Sequence, residues 1–299
     1  MGEPLDRDGV KIVLTEAGER ADLRGAHVIE ASPSLGAAGL IAINYLVETL
    51  KPVKIAEVKS LHFPHVSIVD EGLASHPSIN LYLHRDGDLK LVFISRNFPI
   101  ESEEGGYLIA SKLHRFLVER GAVNYYLLSS SRITGERAVF VASSNPDDVR
   151  RFLDSGARIL SNLDNIPADK LSSYLLMLYM RDTGHACILV SEVVTYFPDP
   201  ISARMLITVL AKGLGFKVDL ERLDEEIEKH RRILEEVQRG YERMLQRQRE
   251  SVLGLEAHRR GTLCHPPPSW ACMVLAGLWS SHTRTSRWVL HARLYIHSH

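Results

Sequence analysis

No tryptophan precedes Trp270 and no aspartate or glutamate follows Glu256 in this chain of 299 residues. The last 43 positions therefore differ in kind from the rest. They hold all three tryptophans, two of the three cysteines and six of the fourteen histidines. Cysteine is scarce: Cys187, Cys264 and Cys272 are too few and too scattered for a disulfide framework or a closed zinc site, which makes a reducing cytoplasm the expected compartment. Long apolar runs are missing as well. The first eighteen residues contain none of the kind a leader needs, and Trp270–Trp279 is half the ~20 residues of a membrane-spanning helix, so no membrane partner is expected. A net charge of -1 gives no basis for a nucleic-acid partner.

What is present is a chain 45% hydrophobic, enough for a substantial core. Its organising stretch runs from Ala26 to Leu50. Ala26–Ala31 alternates like a half-buried strand, Pro33 and Ser34 break it, and Leu35, Leu40, Ile43, Leu46, Val47 and Leu50 recur at helical spacing. Gly36 and Gly39 fall in the first turn of that helix, where a missing side chain lets backbone approach backbone or a ligand. A strand, turn and helix of this kind nucleates an α/β sheet.

Strands are expected at Val10–Thr15, Val53–Lys59, Val66–Asp70, Ile79–Arg85, Leu89–Ser95, Val123–Ser129, Ala138–Ala142, Arg158–Leu160 and Ala186–Val194, with a hairpin at Asp86-Gly87. Helices are expected at Glu103–Arg120, after the Asn145-Pro146 cap, at Pro167–Arg181 and at Asp199–Leu214. This gives one α/β domain over 10–218. From Asp219 the grammar changes. Leu223, Ile227, Leu234, Val237 and Tyr241 keep coiled-coil spacing, and Glu225/Lys229, Glu228/Arg232 and Glu235/Arg239 are set for i,i+4 pairs. The segment 219–250 is therefore read as a coiled-coil helix mediating self-association, the alternative being a helix packed along its own domain. Residues 251–299 are read as a disordered tail, of a composition that an out-of-frame reading of the gene would produce.

Chemistry is hard to find. Ser34–Gly39 is a dinucleotide fingerprint lacking its first glycine, and although Glu57 stands where a ribose-binding acid would, the strand after Asp70 has no crossover helix before it. His62, His65, His76 and His84 show no metal-ligand spacing, so no metal and no cofactor is expected. Ser129-Ser130-Ser131 lacks a nucleophile elbow, and Cys187 reads as a small core residue. Glu192 ends a strand and Asp199 precedes a helix, both places where α/β sites form, with an N-cap the simpler role for Asp199.

Three stretches carry a resemblance: SLGAAGLIAINYLVETL with Gly36 and Gly39; the Glu57, Ser60, Phe63-Pro64 spacing followed by Asp70-Glu71-Gly72 and Pro77; and Tyr196-Phe197-Pro198-Asp199-Pro200 followed by Ala203 and Val218-Asp219-Leu220. From about Ala26 to Glu250 the chain resembles the archaeal branch of the proteasome assembly chaperone family. The resemblance implies a three-layer α/β/α sandwich with a mixed central sheet, similar to purine nucleoside phosphorylases. It also implies a non-catalytic protein that forms homo-oligomers and assists assembly of, or docks on, the proteasome core particle through its α-subunits. The chain departs from the family at Ala31-Ser32-Pro33-Ser34, at Ser129-Ser130, and at its end. There Leu294-Tyr295-Ile296 has the order of the family's docking tail but is followed by His297-Ser298-His299. The competing reading is a nucleoside-phosphorylase-like or other small-molecule enzyme on the same fold, which would need a pocket with convergent charged groups.

Overall fold

The computed structural model describes residues 5–66, 68–70, 72–161, 167–194 and 197–229, with positions 231, 232, 235, 236, 239 and 240 beyond. The chain divides into two compact units, between Leu220 and Glu221. In the first, β1 (Val10–Leu14), β2 (His27–Ala31), β3 (Val53–Ser60), β6 (Ile79–Asp86), β7 (Leu89–Ser95), β8 (Asn124–Ser131), β9 (Val139–Ser143), β10 (Arg158–Ile159) and β11 (Ala186–Glu192) form one sheet, in the order β1-β3-β6-β7-β2-β8-β11-β9-β10. The central strands β7, β2, β8 and β11 are parallel to one another, while β1, β3 and β6 pair antiparallel at one side and β9 runs antiparallel to β11 at the other.

Helices cover both faces. Alternate residues of the central strands, Val28, Val92, Ile94, Tyr125, Leu127, Ile188 and Val190, pack with Ile109, Leu113 and Leu117 of α3 (Glu103–Glu119) and Leu171, Leu175 and Tyr179 of α5 (Lys170–Asp182) in one core. The intervening residues, including Ile29, Phe93, Tyr126, Leu128 and Leu189, are equally buried. On their side α2 (Ala38–Leu50) lies against β2, β7 and β8, α6 (Pro200–Leu214) runs beside it against β11 and β9, and α4 (Pro146–Asp154) packs on α6 and β9. Parallel strands buried on both faces need apolar residues at successive positions, which is why β8 and β11 read as continuous runs rather than alternations.

The turn into α2 differs from the simple helix start expected. Leu35–Ala37 is a single 3-10 turn with Gly36 at φ 68° and Ala37 at φ 50°, and α2 begins at Ala38. The two glycines serve packing, not a ligand: a Cβ on Gly36 would lie 2.9 Å from Val193 Cγ1, and one on Gly39 would lie 2.8 Å from the Leu128 carbonyl oxygen. Other differences have local causes. α1 (Glu16–Glu19), capped by Thr15, is too short to show periodicity. The strand expected at Val66–Asp70 is β4 (Ile68–Asp70), which pairs with β5 (Leu73–Ser75) as a hairpin separate from the main sheet. α5 starts at Lys170 rather than Pro167 because Asp169 caps it through the Ser172 amide. Ala26–Ala31 is no half-buried strand: β2 sits mid-sheet, and Glu30 is fully buried.

In the second unit residues 221–229 are helical, with Leu223 buried and Ile227 half-buried. Two of the anticipated i,i+4 pairs are formed, Glu228 with Arg232 at 3.4 Å and Glu235 with Arg239 at 3.8 Å, whereas Lys229 pairs with Glu226 at 3.5 Å. Leu234, Val237 and Tyr241, the tail 251–299 and its Leu294-Tyr295-Ile296 lie outside the described residues.

Candidate functional site

Ligands of parallel α/β sheets bind beyond the carboxyl ends of the strands, and here that rim is occupied by the protein's own polar groups. Glu192, the last residue of β11, accepts from the backbone amides of the turn after β8: Ile133 N at 2.9 Å and Thr134 N at 2.8 Å to Oε2, and Gly135 N at 3.0 Å to Oε1. Successive amides converging on one carboxylate form an anion nest, and Glu192 fills it from within. Ser202 Oγ donates to the Glu192 carbonyl at 2.6 Å, tying the same residue to α6.

Asp199 is the N-cap of α6, accepting from Ser202 N at 3.1 Å, and Pro200 opens the helix. Its carboxylate also receives Arg137 Nη1, at 2.8 Å to one oxygen and 2.9 Å to the other. The Asp199 amide donates to the Gly36 carbonyl at 2.8 Å, so the motif residues Gly36, Asp199 and Pro200, with half-buried Pro198, meet at one place. Ser130 belongs there too: its Oγ donates to the Leu35 carbonyl at 2.6 Å, and its amide donates to Ser34 Oγ at 3.0 Å. Ser129 Oγ donates to the Pro167 carbonyl. The serine triplet is thus a hydroxyl-rich strand end that fastens neighbouring loops.

The remaining motif residues lie elsewhere. Glu57 is on β3, which β6 and β7 separate from β2, and its carboxylate takes Lys54 Nζ at 2.9 Å as a surface ion pair. Ser60 Oγ accepts from the His62 amide at 3.0 Å, and Phe63 is buried edge-on to Phe98 with ring centroids 5.0 Å apart. The Pro64 carbonyl accepts from Val66 N at 2.8 Å, and Gly72 turns the small hairpin at φ 83°. Among the described residues no group of His, Cys, Asp and Glu is arranged to hold a metal, the four histidines included. Cys187 is buried, and burial pushes its thiol far above the usual range, which removes it as a nucleophile.

A larger polar cluster escaped the sequence reading. Arg96, in the loop after β7, is buried with Glu30 of β2, Tyr125 of β8, and Asp169 and Ser172 at the start of α5. Its two terminal nitrogens grip Asp169 in parallel, both at 2.7 Å, and Nη1 also donates to the Phe98 carbonyl at 2.7 Å. Nη2 reaches Glu30 Oε1 at 2.9 Å and Ser172 Oγ at 2.7 Å. Burial opposes ionisation of Asp169, but the charge and hydrogen bonds of Arg96, with the Ile100 and Ser172 amides, hold its carboxyl below the usual range. The cluster clamps strand, loop and helix together. The available hint was an acid inside an apolar strand and an arginine directly after another.

Among the described residues, two solvent-open cavities bear on a possible site. One, of ≈ 210 Å³, lies over the Glu192 nest between Arg132, Ile133, Val193 and Val194. The other, of ≈ 450 Å³, is a shallow apolar groove along α5 formed by Ser173, Leu176, Met177, Met180 and Arg181. The first has an acid on its floor whose oxygens are already taken by amides. The second holds one ionisable group, Arg181, paired with Asp182 at 2.5 Å. Neither is lined by a nucleophile with a free base beside it.

The same fold occurs in solved structures. Pyrococcus furiosus PbaB, an archaeal proteasome activator, superposes with a TM-score of 0.68 at 22% identity, over 77% of this chain and 99% of that one. PbaA from the same organism, an archaeal homolog of proteasome-assembly chaperone, gives 0.62 at 25% identity over 84% and 99%. A Mycobacterium tuberculosis proteasome-assembly chaperone homologue gives 0.54 at 16% over 70% and 94%. No curated protein matches the chain. The model of the PAC2 family matches residues 28–238, which takes in the sheet from β2 onward without β1, helices α2 to α6 and the start of the second unit. The chain belongs to the PAC2 family.

Proposed function

We propose that this protein is a non-catalytic chaperone that assists assembly of, or docks on, the proteasome core particle. The observation that carries the reading is membership of the PAC2 family together with a fold shared along 99% of PbaA and of PbaB. The rim chemistry supports it: the acids that an enzyme of this architecture would use are engaged by backbone amides and an arginine. The test is retention of purified core particle, and separately of isolated α-subunits, on the immobilised full chain. Retention of the particle is expected; failure of both would overturn the proposal. Phosphorolysis of a nucleoside by the purified protein would favour the enzyme reading instead.

The finer parts of the reading are the α-subunits as the contacted surface, a homo-oligomer held by the 219–250 helix as a coiled coil, a nucleoside-phosphorylase-like sandwich, Leu294-Tyr295-Ile296 as the docking sequence and a cytoplasmic setting. Among the described residues no helix is long and apolar enough to cross a membrane. The self-association element makes a measurable difference. Replacing Leu223, Ile227 and Leu234 together by lysine places charges on a seam that has to be dry, so the mass by light scattering should drop to that of a smaller species while circular dichroism keeps its α/β signature. An unchanged mass with a lower unfolding midpoint would mean that the helix packs on its own subunit.

A further inference from the structure

The cluster around Arg96 contains more acid than base. Glu30 and Arg96 have no exposed side-chain surface and Asp169 has 5%, and among the described residues no other cation bonds to either carboxyl. With every group ionised the site would hold two anions and one cation away from water, a surplus that proteins relieve by protonating one partner. The hydrogen bonds indicate which. Asp169 receives two guanidinium N–H groups and the amides of Ile100 at 2.6 Å and Ser172 at 3.1 Å, donors that cannot reverse. Glu30 Oε1 is likewise filled, by Arg96 and by Ser172 Oγ at 3.0 Å. Among the described residues Glu30 Oε2 meets a single partner, the Tyr125 hydroxyl, and a phenol oxygen, unlike an N–H group, is able to accept as well as donate.

We propose that Glu30 binds a proton in the folded protein, on the oxygen facing Tyr125, making the clamp between β2, the Arg96–Ile100 loop and the start of α5 sensitive to pH. The facing groups are Arg96 from the loop after β7, Asp169 and Ser172 from α5, and Tyr125 from β8. Behind Tyr125 lies the stacked ring of Tyr179, at 4.8 Å, with His114 of α3 edge-on to it. Burial first, and the charge of Asp169, raise the Glu30 carboxyl above its ordinary 4.5 against the pull of Arg96 and Tyr125.

The sign follows from proton linkage. Above pH 4.5 the unfolded chain has released a proton that folded Glu30 keeps, so this group's contribution is complete below 4.5 and is lost as pH rises through the folded value. Within that window each pH unit raises the unfolding constant by about tenfold. His27 and His114, which burial lowers from 6.5, tilt stability the opposite way, so the readout is the difference between wild type and Glu30→Gln. Glutamine keeps the shape and places its NH2 opposite Tyr125. For the full chain unfolded in denaturant between pH 4.5 and 8, the wild-type to variant ratio of unfolding constants should climb with pH, toward about tenfold per unit. A ratio flat across that range would overturn the proposal. Should the variant not fold, the ¹³C-carboxyl titration of Glu30 in the wild-type chain decides: a midpoint above 4.5 supports the proton, and one at or below 4.5 removes it.

Discussion

Arg96→Met should lower the stability of the sheet-containing unit by roughly 3–5 kcal/mol, the range for removing one partner of a buried ion pair. Methionine fills the space of the arginine stem, so the loss comes from what is left behind. Asp169 would keep two amide donors and lose both guanidinium bonds, the Phe98 carbonyl would lose its donor at 2.7 Å, and Glu30 would lose two N–H groups. Arg96→Lys should recover only part, because a point ammonium cannot serve Asp169 in parallel while reaching Glu30 and Phe98. The pH dependence gives a second check. A carboxyl held below its ordinary value contributes stability above 3.8 that is lost as pH falls, so the gap between wild type and Arg96→Met should narrow below about 3.8. Denaturant midpoints at unchanged slope measure both effects. A loss under about 1 kcal/mol at neutral pH, as for an exposed pair, would show that the cluster is not the clamp it looks like.

That cluster also marks where the sequence stops being informative. Strands rich in Val, Ile and Leu between glycines and prolines were legible, as were the Asn145-Pro146 and Asp199-Pro200 helix starts, because each signal lies within a few residues. The Arg96 partners lie 66 and 73 positions away, and no local pattern connects them. Alternation pointed Glu30 toward water, but a parallel strand covered on both faces has no wet side. Asp169 was hidden because Pro167 offered an earlier helix start, and α1 and β5 are too short to carry a period. Of the candidate site, Gly36, Asp199 and Glu192 were legible as positions. Their roles were not, since these depend on which loop folds back onto each.

Glu192→Ala should cost about 2–4 kcal/mol, and this separates a structural from a catalytic acid. A fully buried amide left without an acceptor costs about 1–3 kcal/mol, and Glu192 serves three amides on a partly exposed turn, those of half-buried Ile133 and of exposed Thr134 and Gly135. The turn is open to the ≈ 210 Å³ cavity, so water replaces part of the lost bonding and keeps the total below the simple sum. Glutamine should rescue little. Its NH2 would point at amide donors on one side of the nest, so Glu192→Gln is expected to lose nearly as much as the alanine variant, although it matches glutamate in size. Free acetate should restore part of the midpoint of Glu192→Ala and leave wild type unmoved, because the vacated nest again finds a carboxylate. A catalytic acid behaves in the opposite way: active-site acids are held at some expense to stability, and removing one commonly leaves stability unchanged or raised while abolishing turnover. Glutamine and alanine variants as stable as wild type would therefore overturn the structural role and reopen the enzyme reading. A loss in both, partly reversed by acetate in the alanine variant and with core-particle retention intact below the unfolding midpoint, would show that the rim of this sheet is fastened shut and that recognition resides on another surface.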